Sequence, residues 1–336
     1  MSVRIRNVGT GSYPCVFHHA GGDSLCRIGL ELKRHYFDAI GEPDRRFAFS
    51  KNRRVSGLEV YRRPRPAATL RRLPKLSIVT FTSFRFPGSA ELSLHHLGVQ
   101  VDVIRPPGRW RNLRKIALMR RYLETVETRY VLCLDSHDAF VTEDIRGIVP
   151  AFESLGCRML VQADAHDWPE KMEANHAFFD RIAGQHQPFR FLCGGIYIGD
   201  VEFLKRYFDL SLEIEPVLPH DDQGPYKLAF ERLHPDCQLD YRCGLFQSLT
   251  DYGDPRRRDR FTPVELDLEL QIRTDPAAME VAPTVTRGKL SAALPYFLGR
   301  MLDPIAGRFG STVPDERAEP RRSAALAARP TGGSRG

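Results

Sequence analysis

The sequence lacks the features of several protein classes. No apolar run is long enough to span a bilayer, so no membrane span is expected. The seven cysteines include no C-x-x-C pair and no repeated spacing, which argues for reduced thiols in a cytoplasm. The first residues contain no apolar segment of the signal-peptide type, which agrees with a cytoplasmic location.

The charge balance narrows the choice of partner. The net charge is +7 and Arg greatly outnumbers Lys, which favours an anionic partner. Nucleotide phosphates fit this charge as well as nucleic acid does. No aromatic-interleaved or helix-turn-helix pattern accompanies the basic clusters, so nucleic acid is not expected as a partner. A basic nucleic-acid-associated protein remains a third alternative, supported by charge alone.

Strand and helix patterns alternate after residue 75, at the spacing of βαβ units. This alternation predicts an α/β fold with a Rossmann-like, mostly parallel sheet flanked by helices. Composition divides the chain into a segment at 1–61, an Arg/Pro-rich linker at 62–74, a main domain at 75–303 and a disordered tail at 304–336. The expected strands are 76–83, 99–104, 130–135, 159–164 and 191–199, and the expected helices are 91–97, 113–126, 142–155 with Thr142 as N-cap, a helix beginning at 201, and 219–230.

The most informative motif is an apolar strand that runs into two carboxylates. Tyr130–Asp135 is followed by Ser-His-Asp138. Positions i and i+3 of a continuing strand face opposite sides, so a shared ligand requires a turn at Ser136. The acids would then lie at the carboxyl end of a strand, where open α/β sheets bind ligands. Paired carboxylates suit Mg²⁺ or Mn²⁺ bridged to phosphate, and the alternative is an Asx-type turn.

Asp221 and Asp222 stand at a predicted helix start. They are candidates for catalytic carboxylates, and the alternative is capping of the free N–H groups of the helix. Gly194 and Gly195 interrupt an apolar strand, which indicates close approach of a ligand or another backbone, or else a β-bulge.

Two further side chains are candidates for contacts with a nucleotide or a sugar. Trp168 follows the fourth strand and could stack on a base or sugar ring, or else pack against the protein. Lys115 is the only lysine of its predicted helix and could pair with a phosphate, or else lie on the surface.

Taken in order, these motifs resemble the glycosyltransferase domain of the procollagen-lysine hydroxylase/glycosyltransferase family, which has a GT-A fold. The resemblance covers about residues 76–249. The matching residues are Leu134-Asp135-Ser-His-Asp138, Ala163-Asp164, Trp168-Pro169, Leu192-Cys-Gly-Gly195-Ile-Tyr-Ile-Gly199, Asp221-Asp222-Gln223, Leu239-Asp240, Cys243 and Phe246-Gln247.

The resemblance implies transfer of a hexose from a UDP-sugar to an acceptor hydroxyl, with Mn²⁺ or Mg²⁺. It implies that Asp135 and Asp138 hold the cation against the diphosphate. The leaving diphosphate is a poor leaving group unless a cation offsets its developing charge. The donor-binding set that it implies comprises Thr80, Thr82 and Ser83 at the uridine, Lys115, Asp135, Ser136, Trp168, Gly194 and Gly195, with Asp221 and Asp222 facing the sugar and acceptor.

The sequence departs from the family pattern at two positions. Cys193 replaces an Asn, and the stretch 283–289 lacks the metal-binding His of the family's Pro-x-x-x-His-Gly-Asn-Gly ending. The segment 6–22 resembles that ending, which suggests a permuted arrangement with His18 as third metal ligand. The alternatives are a vestige of an upstream repeat or a Gly-rich loop with two surface histidines. The missing C-terminal His also leaves open a non-catalytic relative that binds a nucleotide sugar.

Overall fold

The computed structural model describes most of the chain between residues 70 and 249, and shorter stretches outside it. The described residues all lie within the unit Met1–Ala292. Their ranges are 2–7, 10–19, 32–33, 36–37, 50–55, 58–62, 70–84, 87–108, 110–169, 172–184, 187, 189–249, 266–271 and 286–290.

The centre of the fold is an eight-stranded sheet, which is accompanied by two sheets of three strands each. The strand order in the large sheet is β11-β9-β10-β7-β5-β6-β4-β3, and the smaller sheets have the orders β12-β2-β8 and β1-β13-β14. The strands are β1 Ser2–Asn7, β2 Val16–His18, β3 Ser50–Val55, β4 Leu58–Arg62, β5 Leu76–Phe81, β6 Asp102–Ile104, β7 Tyr130–Asp135, β8 Ala139–Val141, β9 Met159–Asp164, β10 Phe191–Asp200, β11 Cys237–Leu239, β12 Phe246–Ser248, β13 Leu266–Gln271 and β14 Thr286–Leu290.

The predicted α/β class with a mostly parallel sheet is confirmed. Every strand of the large sheet runs in one direction except β4 and β10. Strand β10 lies between β7 and β9 and is antiparallel to both, where βαβ spacing predicts a parallel strand. The cause is that the last residue of β9, Asp164, pairs with the first residue of β10, Phe191. The chain therefore leaves the sheet and re-enters it at the same end of the strands.

The predicted helices are present close to their predicted positions, but the helix Glu173–Ala183 was not predicted. The last predicted helix begins at Gln223 and not at 219, and the segment after Thr142 forms a 3₁₀ turn, Glu143–Gly147, before the helix. The expected capping by Thr142 is wrong, because its hydroxyl lies 3.4 Å from the carbonyl of Pro14 and makes no cap bond. The helices are α1 Ser89–His96, α2 Arg114–Leu123, α3 Ile148–Ser154, α4 Glu173–Ala183, α5 Val201–Glu213 and α6 Gln223–Leu233.

Alternating strand residues enter two apolar cores on opposite faces of the large sheet. Val131 and Cys133 of β7 pack with helices α2, α4, α5 and α6, whereas Leu132 and Leu134 pack with α1, α3 and the small sheet β12-β2-β8. This division follows the two-residue repeat of side chains along a strand. The strands are buried on both faces, which explains their nearly continuous apolar sequences.

The small sheet β12-β2-β8 carries an N-terminal strand into the centre of the domain. His18 is paired with Ala139 on β8 and with Ser248 on β12. Asp240 shapes the turn before β12, because its carboxylate accepts hydrogen bonds from the backbone N–H groups of Gly244, Leu245 and Phe246 at 2.7 to 2.8 Å. The result is that the sequence around His18 lies beside the loop that follows β7.

Several predictions concern residues outside those that the structure describes. The tail at 304–336 and residues 283–285 lie outside them, as does most of the linker. The four-segment division stays a prediction. No helix among the described residues is long and apolar enough to cross a membrane.

Replacing Gly88 tests the packing of α1 against the loop after β7. A Cβ at Gly88 would overlap the carbonyl and hydroxyl of Ser136, whereas a Cβ at Gly147 would meet nothing within 4 Å. We expect Gly88→Ala to lower the free energy of unfolding by about 1 to 3 kcal/mol, as overpacking does. Gly147→Ala is the matched control and should leave stability unchanged or slightly raised. Equal denaturant midpoints for the two variants would contradict the packing described.

Candidate functional site

The two acids of the strand-end motif lie on a short turn between β7 and β8. The turn is held by helix α1, because the backbone N–H of Ala90 donates to the carbonyl of Ser136 at 3.0 Å. The Ser136 hydroxyl donates to Glu91 Oε1 at 2.7 Å. The side chain of Ser136 is therefore engaged with α1, and its predicted contact with a donor stays a prediction.

His18 lies beside these acids. Its Nε2 is 3.4 Å from Asp135 Oδ2, and one ligand atom from each of His18, Asp135 and Asp138 lies within 4.8 Å of the other two. His18 and His19 are both buried, so the alternative of a loop with two surface histidines is wrong. Nε2 of His18 is buried and makes no hydrogen bond among the described residues. An imidazole nitrogen and two carboxylates at these distances form a donor set of the kind that suits a divalent cation.

The paired glycines of β10 make room for this cluster. A Cβ at Gly195 would lie 2.5 Å from His18 Cε1 and 2.8 Å from Asp135 Oδ2. A Cβ at Gly194 would overlap the ring of Tyr226. The pairing of β10 with β9 also shifts register between Cys193 and Tyr197. Both interpretations of the glycine pair therefore apply: the strand is irregular there, and neighbouring side chains approach its backbone closely.

Lys115 of helix α2 joins the acidic loop to the start of α6. Its Nζ lies 2.6 Å from Asp135 Oδ1 and 3.9 Å from Asp222 Oδ2. The alternative of a surface lysine is wrong, since only 13% of the side chain is exposed. Although burial opposes the charge, the two carboxylates raise the pKa of Lys115. The ammonium is therefore a permanent positive charge within the cluster.

The carboxylates of the cluster differ in charge state. Burial opposes ionisation of Asp135, but Lys115 and His18 outweigh it and hold the pKa of Asp135 well below its usual range. Burial and the neighbouring charge of Asp135 raise the pKa of Asp138. Burial opposes the charge on His18, but Cys193 and Asp135 outweigh it and raise the pKa of that imidazole.

The structure separates the roles of the two adjacent acids at α6. Asp221 caps the helix, because its carboxylate accepts from the N–H of Gln223 at 3.2 Å and of Gly224 at 3.0 Å. Asp222 makes no such cap bond. Burial, opposed by Lys115, raises the pKa of Asp222 to about 6. The capping alternative thus accounts for Asp221, while the carboxyl of Asp222 is the one that lies beside Lys115.

The residues proposed for the nucleoside lie where β5 ends. Thr80 and Thr82 are buried and Ser83 is exposed. Thr82 Oγ1 lies 3.3 Å from His137 Nε2, and the His137 ring packs edge-on against Phe84 at 4.4 Å between centroids. Phe84 is 49% exposed, so an aromatic face borders this edge of the site.

Trp168 lies on a loop and is exposed, as expected of a residue that stacks on a ligand. Nearly half of its surface is accessible, at 48%. The loop is held in place by the contacts of the preceding residue. The preceding Asp167 binds the fully buried ammonium of Lys227 and lies 2.6 Å from His176 Nδ1. Desolvation lowers the pKa of Lys227, although Asp167 opposes this effect.

Several residues of the site were not predicted. The sequence does not indicate a role in the site for four of them, because each is a single polar residue in a helix, turn or strand. These are Glu91, His137, Gln162 and Lys227. Phe84 follows the strand that contains Thr80 and Thr82, and this position is the one feature of the sequence that could have indicated its place beside the site.

Comparison with known proteins bears on this geometry. Residues 100–259 match the family model described as PLOD GT domain. The match spans Asp135, Asp138 and Asp222 but not His18. The chain is also 28% identical over 157 residues to procollagen-lysine,2-oxoglutarate 5-dioxygenase of Drosophila melanogaster. That alignment covers 44% of this chain and 20% of the relative, so the chain spans only about a fifth of the relative's length.

These findings confirm the resemblance to the glycosyltransferase domain of the procollagen-lysine family. The matched model describes a glycosyltransferase domain, which points to an enzyme of the glycosyltransferase type. The assignment of residues to a metal and to the donor depends on the geometry described above and not on these comparisons.

Glu91 provides a test of how the acidic loop is supported. Burial raises the pKa of Glu91 from 4.5 to about 7, so the folded state favours the neutral carboxyl. That stabilisation is present below about pH 4.5 and is lost as the pH rises to about 7. Glu91→Gln keeps an acceptor for Ser136 but cannot ionise. We expect the loss of unfolding free energy between pH 4.5 and 7 to be smaller in this variant, by on the order of 3 kcal/mol. Parallel pH profiles for variant and parent would contradict the burial of this carboxylate.

Proposed function

We propose that this chain is a metal-dependent glycosyltransferase that moves a hexose from a UDP-sugar to an acceptor hydroxyl. The observation that carries the proposal is the convergence of His18, Asp135 and Asp138 beside Lys115, in a chain that matches a glycosyltransferase family model. The acids and the histidine come from distant parts of the sequence. A shared ligand would require them to lie close together, as they do at the carboxyl end of β7.

The residues present fit a divalent cation. Two carboxylates offer hard oxygen ligands, and the orphaned Nε2 of His18 offers a borderline nitrogen, a set suited to Mn²⁺. When bound, such a cation would offset the negative charge that develops on the leaving diphosphate. His18, Asp135 and Asp138 would hold it.

The remaining side chains would bind and orient the donor. Lys115 places a permanent ammonium at the edge of the metal cluster, where it could move from Asp135 to a phosphate oxygen. Thr80, Thr82 and Ser83 would line the uridine, and the exposed ring of Trp168 would cover the sugar. The hydroxyl of Thr80 is buried and makes no hydrogen bond among the described residues, which leaves it available to a ligand.

Asp222 would act on the acceptor. A pKa of about 6 leaves the carboxylate mostly ionised at neutral pH, yet basic enough to take a proton from a hydroxyl. Lys115 nearby would stabilise the ionised form. Asp221 would serve by holding the start of α6, and with it Asp222, in place.

A second candidate is a non-catalytic relative that binds a nucleotide sugar without a metal. It is favoured by the ion pair of Lys115 with Asp135, since an internal ammonium already neutralises one of the acids. UDP binding with and without Mn²⁺ separates the two functions. Metal-enhanced binding supports the enzyme, and binding that Mn²⁺ does not change supports the relative.

The cellular location stays a prediction. All six cysteines that the described residues include are free. The sugar is to be found by screening hydrolysis of a series of UDP-hexoses.

The metal ligands are tested by removing one donor atom at a time. We expect Asp138→Asn and His18→Asn to lose the Mn²⁺-dependent part of UDP binding, measured by calorimetry, because each loses a ligand. Substituting a group that only supports a metal ligand costs about 10- to 100-fold in affinity, so loss of a direct ligand should cost at least that much. His96→Asn is the control, since His96 is exposed at the last turn of α1 and takes no part in the cluster. Unchanged Mn²⁺ dependence in both ligand variants would show that the assignment is wrong.

The two acids of α6 are separated by a pair of variants. Asp222→Asn should lower the rate of UDP-hexose hydrolysis by roughly a hundredfold or more while UDP binding stays near the parent value. Asp221→Ala should instead lower stability by about 1 kcal/mol, as loss of a helix cap does, and keep turnover. Rates and melting curves measured on both proteins distinguish the roles. An Asp222→Asn protein with the parent rate would exclude Asp222 from catalysis.

A further inference from the structure

We propose that Gln162 is a positioning residue that holds His18 in the tautomer presenting Nε2 to Asp135 and Asp138. The inference rests on the proposed function, because it assigns His18 a use as a metal ligand. Gln162 lies in the middle of β9 and takes no part in the sequence motifs. It matches nothing in the resemblance, and it is the partner of His18 on the side away from the acids.

The hydrogen bond between the two side chains is short and buried. His18 Nδ1 lies 2.7 Å from Gln162 Oε1, and the two residues are 1% and 0% exposed. Because an amide oxygen only accepts, Nδ1 carries the proton in this arrangement and the lone pair of the neutral ring is on Nε2. Nε2 is the atom that faces Asp135 at 3.4 Å.

The burial of a glutamine side chain at this position requires an explanation. Residues 160, 162 and 164 of β9 share one face, and Leu160 on that face packs in the apolar core with β2 and β12. Burying an amide in such surroundings is unfavourable unless it is hydrogen-bonded. The bond to His18 is the one that its Oε1 makes among the described residues, whereas its buried Nε2 makes none there, so the contact with the histidine is what holds the amide at this position.

The neighbouring thiol does not account for the orientation. Cys193 on β10 pairs in register with Gln162, and its Sγ lies 3.7 Å from the same Nδ1. This distance is longer than that to Gln162 and the sulfur is a weak acceptor. Cys193 is thus the longer and weaker of the two contacts of Nδ1, and Gln162 is the nearer partner. Metal-binding histidines generally donate their other N–H in this way.

The opposite arrangement makes a different prediction. If the amide nitrogen of Gln162 faced Nδ1, the lone pair would be on Nδ1 and Nε2 would carry the proton toward Asp135. That ring could not bind a cation at Nε2 without changing tautomer. The two arrangements place the proton on different nitrogens and are therefore distinguishable by spectroscopy.

The tautomer is measured in the full chain by ¹⁵N spectroscopy of the histidine rings. The His18 signals are assigned by their absence from His18→Asn, and spectra are recorded without metal at an alkaline pH at which the ring is neutral. We expect Nδ1 to be protonated and Nε2 to be bare in the parent, and the preference to be lost in Gln162→Met. A parent ring with its proton on Nε2 would overturn the proposal, whether or not the protein binds a metal.

The effect on the metal is measured with Mn²⁺ alone, from the electron paramagnetic resonance of the free ion. We expect Gln162→Met to weaken Mn²⁺ binding by about 10- to 100-fold and Gln162→Glu, which keeps the acceptor, to retain it. Gln247→Met is the matched control, because Gln247 is equally buried on β12 but bonds to Asn7 and to Ser248. It should bind Mn²⁺ like the parent.

These results separate the inference from the proposed function. If the parent binds Mn²⁺ and Gln162→Met binds it equally well, the role of Gln162 is wrong and the metal site stands. If the parent binds no Mn²⁺, the metal site is wrong, and the ring spectra alone decide whether Gln162 orients His18. Equal losses in Gln162→Met and Gln247→Met would mean a general packing effect and would also overturn the proposal.

Discussion

The pairing of strand β2 with β8 is the contact on which the candidate site depends. It sets His18 opposite Ala139, the residue that follows Asp138, and so brings a histidine from the start of the chain to the acidic turn. On its other side β2 pairs with β12, whose approach is shaped by Asp240. A three-residue strand held on both edges can place a side chain accurately although it is far away in sequence.

The electrostatics of the site call for a positive ligand. Asp135, Asp138 and Asp222 are gathered at one edge of the sheet, and Lys115 is the ammonium that bonds directly to Asp135 and lies near Asp222. Burial raises the pKa values of Asp138 and Asp222, and the charge of Asp135 adds to this effect, so an excess of negative charge at this place is costly. A divalent cation would relieve that excess. An anionic nucleotide could then bind in the same place, because the cation and Lys115 together offset its charge.

Local pattern was enough to predict the parts of this site that are close together in sequence. An apolar strand that leads into Asp135 and Asp138, and a helix start in the region of Asp221 and Asp222, follow from periodicity and turn chemistry. The direction of β10 did not follow, because spacing along the chain does not determine which way a strand enters a sheet. His18 was reached through the resemblance alone, since no local rule links a strand at residues 16–18 to a turn at 135–138.

The supporting residues could not be predicted for a different reason. Glu91, Gln162 and Lys227 are single polar residues in otherwise ordinary helices and strands, and their importance comes from burial and from partners brought together by folding. Asp221 and Asp222 look identical in sequence, and only the positions of the helix N–H groups and of Lys115 distinguish the capping carboxyl from the one beside the lysine. Asp240 belongs to a recognised motif, yet its contacts are with backbone N–H groups and its role is structural.

The central claim is that an N-terminal histidine completes a metal site formed by the acids after β7. The most direct test is a crystal structure of the protein with Mn²⁺ and UDP, with the cation located by its anomalous scattering. The account predicts one peak within direct bonding distance of His18 Nε2 and of the carboxylates of Asp135 and Asp138. A peak bound by the acids with water in place of the imidazole, or a site that stays empty while UDP is bound, would contradict it.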